Sequence, residues 1–281
     1  MQKLKLFVHR YPVVSSLIML IIMSVLTEIR FENMLEASIG YQAAFYVRVA
    51  LEQGIVALAA GLLISHLGWL KKSGFTAPKS AKSLWMVWPI VVLAVLNGFS
   101  LFDGSMQIDY SRPLVNILFL MAPISTGFVE EIVCRGFVLT ALVGKYGGTK
   151  SGIYKAVIIS SALFGALHLL NLLTGRGTLL QVGSQSVYAF FFGVFFSALF
   201  IRTGSLWPSI VTHALFDFMG SVGEIAVGSN FDNTMSGNAS AEAALISVAI
   251  CSVLFFYGLF LLRKASPAQM GTEMPAKSAI E

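Results

Sequence analysis

Six ionisable residues stand inside apolar stretches where charge is costly, and their spacing suggests chemistry. The first stretch reads Glu130-Glu131-Ile-Val-Cys-Arg135. Glu131 and Arg135 lie at i and i+4, so they share a helix face and can form a charge-assisted pair. Glu130 points about 100° away around the helix and finds no cation on its own turn. Such a carboxylate is suited to act as a general base. Pro123 and Gly127, within two turns upstream, are expected to loosen the helix and admit water or substrate. The second stretch is Phe164-Gly-Ala-Leu-His168-Leu-Leu-Asn171, with His168 and Asn171 on one face. The third is Trp207-Pro-Ser-Ile-Val-Thr-His213-Ala-Leu-Phe-Asp217, with His213 and Asp217 at i and i+4.

A glutamate, two imidazoles and a further carboxylate make a water-activating set. One carboxylate deprotonates water, while imidazoles orient it, bind a metal or donate to an oxyanion. The reaction that fits is amide hydrolysis within the membrane. A purely structural role explains the Glu131–Arg135 pair but leaves the second glutamate without a purpose. Arg48 and Glu52, also at i and i+4, are read as a structural pair. Other intramembrane protease chemistries do not fit. There is no H-E-x-x-H for a zincin site, and no G-x-G-D segment with a second aspartate at depth. Ser184 and Ser186 sit at a helix mouth rather than beside a histidine.

The elements that must position these groups follow from composition. Of 281 residues, 56% are hydrophobic and only 12% are charged. The mean hydropathy is +0.79. A soluble domain carries about 25% charged residues, so half that supply could not cover a water-facing surface. The expectation is an all-α polytopic membrane bundle, one transmembrane domain over residues 1–264. Eight apolar runs are long enough to be spans: 12–30, 41–68, 84–102, 113–143, 153–174, 185–202, 206–227 and 241–263. The first run starts basic but lacks a small-residue cleavage site, so it is read as a retained span rather than a signal peptide. Residues 265–281 are small and polar and read as a disordered cytoplasmic tail.

The net charge of +5 could suggest nucleic acid in a soluble protein. Here the basic residues sit in short segments between apolar runs, as the positive-inside bias requires, and no nucleic-acid partner is expected. Loops with Lys71 and Lys72, or Lys145 and Lys150, alternate with loops holding Glu28, Glu32 and Glu36, or Asp103 and Asp109. Both termini are therefore expected in the cytoplasm, with Arg176 on an outer loop as the mild exception. Cys134 and Cys251 lie inside apolar runs and read as neither disulfide partners nor zinc-finger ligands.

The motifs Glu130-Glu131-x-x-x-Arg135, Phe164-x-x-x-His168 and His213-x-x-x-Asp217, in that order and on separate spans, resemble the CPBP family. This is the group of CAAX-processing and bacteriocin-processing intramembrane proteases related to Ras-converting endopeptidases. They fall within residues 113–220. The resemblance implies a helical membrane fold with a cavity enclosed by the helices. It implies that Glu130 activates water together with His168, and that His213 and residue 217 stabilise the oxyanion. Family members are discussed as metalloproteases and as metal-independent glutamate peptidases, so a divalent metal such as zinc on His168 and His213 stays open. The usual residue at the last position is asparagine, and Asp217 departs from it. The implied partner is a membrane-associated peptide or protein within the lipid bilayer. A short chain without a transit sequence points to a bacterial plasma membrane, where prenylated tails are not the expected substrate. Peptide maturation, bacteriocin immunity and regulatory proteolysis all remain open, as does oligomeric state. The alternatives of other classes are a non-catalytic scaffold or immunity protein of the same fold, and a proton-coupled transporter. Transporters usually show repeated halves, and none is visible here.

Overall fold

The computed structural model describes residues 2–78, 80–231 and 240–267. Most of the tail read as disordered, together with Lys79 and Asp232, lies outside them. The described chain is predominantly helical, with turns and loops between the helices. The helices are α1 Gln2–Arg10, α2 Pro12–Leu26, α3 Asn33–Ile39, α4 Tyr41–His66, α5 Trp88–Asn97 and α6 Pro113–Glu131. After α6 the chain continues without a break as a π-helical stretch, Ile132–Leu139, and then α7, Thr140–Tyr146. The remainder are α8 Lys150–Leu167, α9 Leu179–Thr203, α10 Trp207–Ser221 and α11 Ala241–Leu262.

Local sequence explains where these helices start. Proline occupies the first turn of α2, α5, α6 and α10, where its missing N–H costs nothing. The Thr149 hydroxyl accepts from the Gly152 amide at the head of α8. Thr178 and Gln181 form a capping box on α9, and Ser240 caps α11. Gly204, at φ 68°, ends α9 in the left-handed conformation that only glycine adopts at little cost.

Five helices are long and apolar enough to cross a membrane, and six if the α1–α2 pair, bent by 106°, is one span. The expected count of eight is not reached on that measure. The apolar runs at 84–102 and 206–227 contain helices of only 10 and 15 residues. At ~1.5 Å per residue these cover ~15 and ~22 Å, short of a hydrocarbon core of ~30 Å. Hydropathy counts apolar residues, whereas the helices stop where Gly98 and a 3₁₀ turn at Val222–Ile225 intervene.

The bundle has two chemically distinct ends. At one, Arg176 grips Glu28 with two 2.9 Å contacts. There also the Gln42 amide donates to the Glu224 carbonyl at 2.9 Å, and the Val227 amide to the Gln107 carbonyl at 2.8 Å. Glu28, Glu32, Glu36, Asp103, Asp109, Glu224 and Glu242 gather there against Arg30, Arg112 and Arg176. In the loop before α6, the Ser111 hydroxyl and amide, and then Arg112, hold the Asp109 carboxyl below the usual carboxylate range. At the opposite end the Leu206 amide donates to the Gly74 carbonyl at 2.9 Å, and Lys150 to the Arg263 carbonyl at 2.9 Å. Lys3, Lys5, Arg10, Lys71, Lys72, Lys145, Lys150, Lys155, Arg202, Arg263 and Lys264 belong to that end. Among the described residues it carries no aspartate or glutamate.

Candidate active site within the bundle

The site begins with an irregularity in the helix that carries it. Glu130 and Glu131 close α6, and the next eight residues are π-helical. Widened turns leave some carbonyls without their α-helical donors. Here the Thr140 hydroxyl donates to the Arg135 carbonyl at 3.0 Å, and the Ser160 hydroxyl to the Cys134 carbonyl at 3.4 Å. The loosening expected near Pro123 and Gly127 therefore lies downstream of the glutamates. Gly127 serves a different purpose. A Cβ there would sit 3.0 Å from the Ala214 amide and 3.0 Å from the Ile210 carbonyl, so its absence lets α6 approach α10.

That approach brings the first and third motifs together. The Glu131 carboxylate, fully buried, accepts from Arg135 Nη1 at 2.8 Å through Oε1. The same oxygen lies 2.9 Å from His213 Nδ1. The other ring nitrogen, Nε2, faces Glu130 Oε2 at 3.5 Å and Asp217 Oδ2 at 3.6 Å. Glu130 is thus not alone, as its helical phase suggested, but faces an imidazole from α10. Glu130 and Asp217 keep 22% and 28% of their side chains exposed, whereas His213 keeps 8%.

Aromatic rings hold the buried cation. Arg135 lies over Phe164 at 4.7 Å and over Phe196 at 5.3 Å. Phe196 also stacks on His213, at 5.1 Å between ring centres. Phe164 meets His168 edge-on at 5.2 Å and His213 at 6.4 Å. His168 ends α8 rather than standing within it, with Nδ1 3.1 Å from the Phe164 carbonyl. As donor to that carbonyl, Nδ1 would leave Nε2 free to accept.

Glu130, His168 and Asp217 line one cavity of about 710 Å³. Its walls also carry Arg48, Glu52, Gln53, Asn171 and Glu224. Arg48 bonds Glu52 at 2.8 Å, as its spacing suggested, and also Glu32 at 3.0 Å. The Gln53 carbonyl accepts from Ser125 at 2.9 Å and from Thr126 at 2.8 Å, fixing the amide beside the helix of Glu130. Sequence reasoning did not single out Phe196, Gln53 or the Glu131–His213 contact. All three depend on helices meeting, which no local spacing records. Both cysteines are buried and free.

Among the described residues, no group of three His, Cys, Asp or Glu side chains is placed to hold a metal ion. His168 and His213, the candidate ligands, do not form such a centre as they stand.

Residues 112–219 match a family model described as type II CAAX prenyl endopeptidase Rce1-like. The matched segment holds α6 through most of α10 and all six motif residues. It supports placing the chain in the CPBP/CAAX-type family of intramembrane proteases, as the three motifs suggested. No curated protein and no solved structure matches the chain.

Proposed function

We propose that the chain is an intramembrane endopeptidase in which Glu130 activates the attacking water. The observation that carries this reading is the pairing of Glu130 and Asp217 around one imidazole nitrogen at the edge of a cavity. The other nitrogen of that ring is committed to a buried carboxylate. A water between Glu130 and His168 gives its proton to Glu130, and the resulting hydroxide adds to the scissile carbonyl carbon. His213, doubly protonated with its Nδ1–H held by Glu131, donates Nε2–H to the developing oxyanion, and Asp217 in its protonated form donates its O–H. When the C–N bond breaks, Glu130 returns its proton to the departing amine, leaving a free acid and a free amine. Arg135 and Glu131 touch no reacting atom. They are positioning residues that fix the His213 ring, the role a carboxylate plays behind a catalytic histidine.

The substrate in this reading is a membrane-associated polypeptide, and the site of action is a cell membrane. The test is membrane proteomics of cells making the wild type or Glu130→Gln. A polypeptide that is shortened with the wild type and stays full length with the variant supports the reading. Identical profiles would sink it and leave a non-catalytic scaffold.

A further inference from the structure

The cavity lies on one side of the bundle. Its walls come from the C-terminal end of α2, the first half of α4, the stretch of α6 from Phe119 to Glu130, which is the outer half of the continuous helix Pro113–Tyr146, and the end of α8 with the segment after it. The last turns of α10 and the 3₁₀ turn after it complete it through Asp217, Ser221 and Glu224. Each of these pieces belongs to the acidic half of the molecule. No residue from the loops at the basic end lines the cavity. That end is packed shut instead. Ile64, Leu206 and Phe200 are at most 2% exposed there. A Cβ on Gly136 would lie 3.2 Å from Ile64 and 3.4 Å from Leu206, and one on Gly74 would clash with Phe200.

Positive charge in short loops marks the cytoplasmic face of a membrane protein. The basic end, with no described acidic residue, is therefore cytoplasmic, and the open end of the cavity faces away from the cytoplasm. We propose that the cavity is filled from the extracytoplasmic side, so that the bond presented to Glu130 belongs to a polypeptide exposed on that side. This rests on the peptidase reading above and adds the face from which its substrate arrives. A lipidated cytoplasmic tail would meet the packed end. The Glu28–Arg176 pair stands at the rim, where an arriving chain would pass between α2 and the loop before α9.

Cysteine accessibility in the full chain tests the proposal without a known substrate. Thr126→Cys places a thiol on the cavity wall and Thr174→Cys one near its rim, whereas Lys72→Cys marks the basic end. The probe is a membrane-impermeant cationic methanethiosulfonate, applied to right-side-out and to inside-out membrane vesicles. The readout is loss of later labelling by a maleimide that adds visible mass. The parent protein, with Cys134 and Cys251 buried, sets the background. Thr126→Cys and Thr174→Cys should lose maleimide labelling in right-side-out vesicles, and Lys72→Cys only in inside-out ones. Protection of the cavity positions from the cytoplasmic face alone, or from neither face, would overturn the proposal. Thiol exchange needs no turnover, so adding Glu130→Gln should leave the pattern unchanged. Outward protection in a chain that cleaves nothing would therefore reject the peptidase reading while this one stands.

Discussion

His213 divides its two nitrogens between a buried carboxylate on one side and the cavity on the other, and this division sets the expected cost of each substitution. Glu130→Gln keeps size and hydrogen bonding but cannot take a proton. Turnover should fall ~10²–10⁴-fold, the usual loss of a general base, with membrane levels near wild type. Glu131→Gln and Arg135→Ala leave a buried charge uncompensated, which costs ~3–5 kcal/mol. Their thermal unfolding in detergent should shift well below that of Glu130→Gln. Asp217→Asn keeps a donor opposite His213 and should retain activity, whereas Asp217→Ala should lose most of it. Neither chelator nor added zinc should change that order. An Asp217→Asn enzyme revived only by zinc would assign the site to a metal. The identities of the charged residues and the Glu131–Arg135 pair were legible from type and spacing. The contact of Glu131 with His213 was not, because it joins residues 82 apart and exists only once α6 and α10 are packed.

Helices were easier to foresee than their limits. Apolar runs located α4, α6, α8, α9 and α11, while α5 and α10 proved shorter than their runs. The π-helical turns after Glu131 left no mark in hydropathy, because every residue in Ile132–Leu139 is buried whatever the pitch. Glycine positions carry the contacts between elements. At Gly127 the neighbours of an added side chain would be backbone atoms of α10, which cannot rotate aside. Gly127→Val should force α6 and α10 apart, costing ~1–3 kcal/mol of overpacking and widening the Glu130–His213 separation. Activity should fall further than stability does. Gly54→Ala, on a face of α4 with nothing within 4 Å, is the matched control and should match or exceed wild-type stability. Thermal unfolding and substrate processing measured on both variants check this.

The whole molecule is polarised. Alternating loop charge anticipated the arrangement, and the structure gathers the separate loops into two coherent ends. Reporter fusions after Lys72 and Lys150 should read cytoplasmic, and those after Asp109 and Ser229 extracytoplasmic. An extracytoplasmic signal after Lys150 would invert the helix carrying Glu130 and overturn this topology. The cavity's place in the acidic half could not be read from charge patterning, since it depends on which helix halves diverge. Only a fold brings the end of α2 opposite the segment following His168.

The position of α9 has a consequence for biogenesis. It is the most buried of the five long helices, and it packs against helices made both before and after it. Gly258 of α11 lets that last helix close on Phe195, where an added Cβ would lie 3.0 Å from the backbone. A nascent chain that has released α9 but not α11 must therefore leave one face of it against lipid or a membrane chaperone. The final helix holds none of the six motif residues, yet it is the lid under which the others mature. Chains ending before Ala241 should enter the membrane and then be cleared by quality-control proteases, with a half-life in pulse–chase well below that of the full chain.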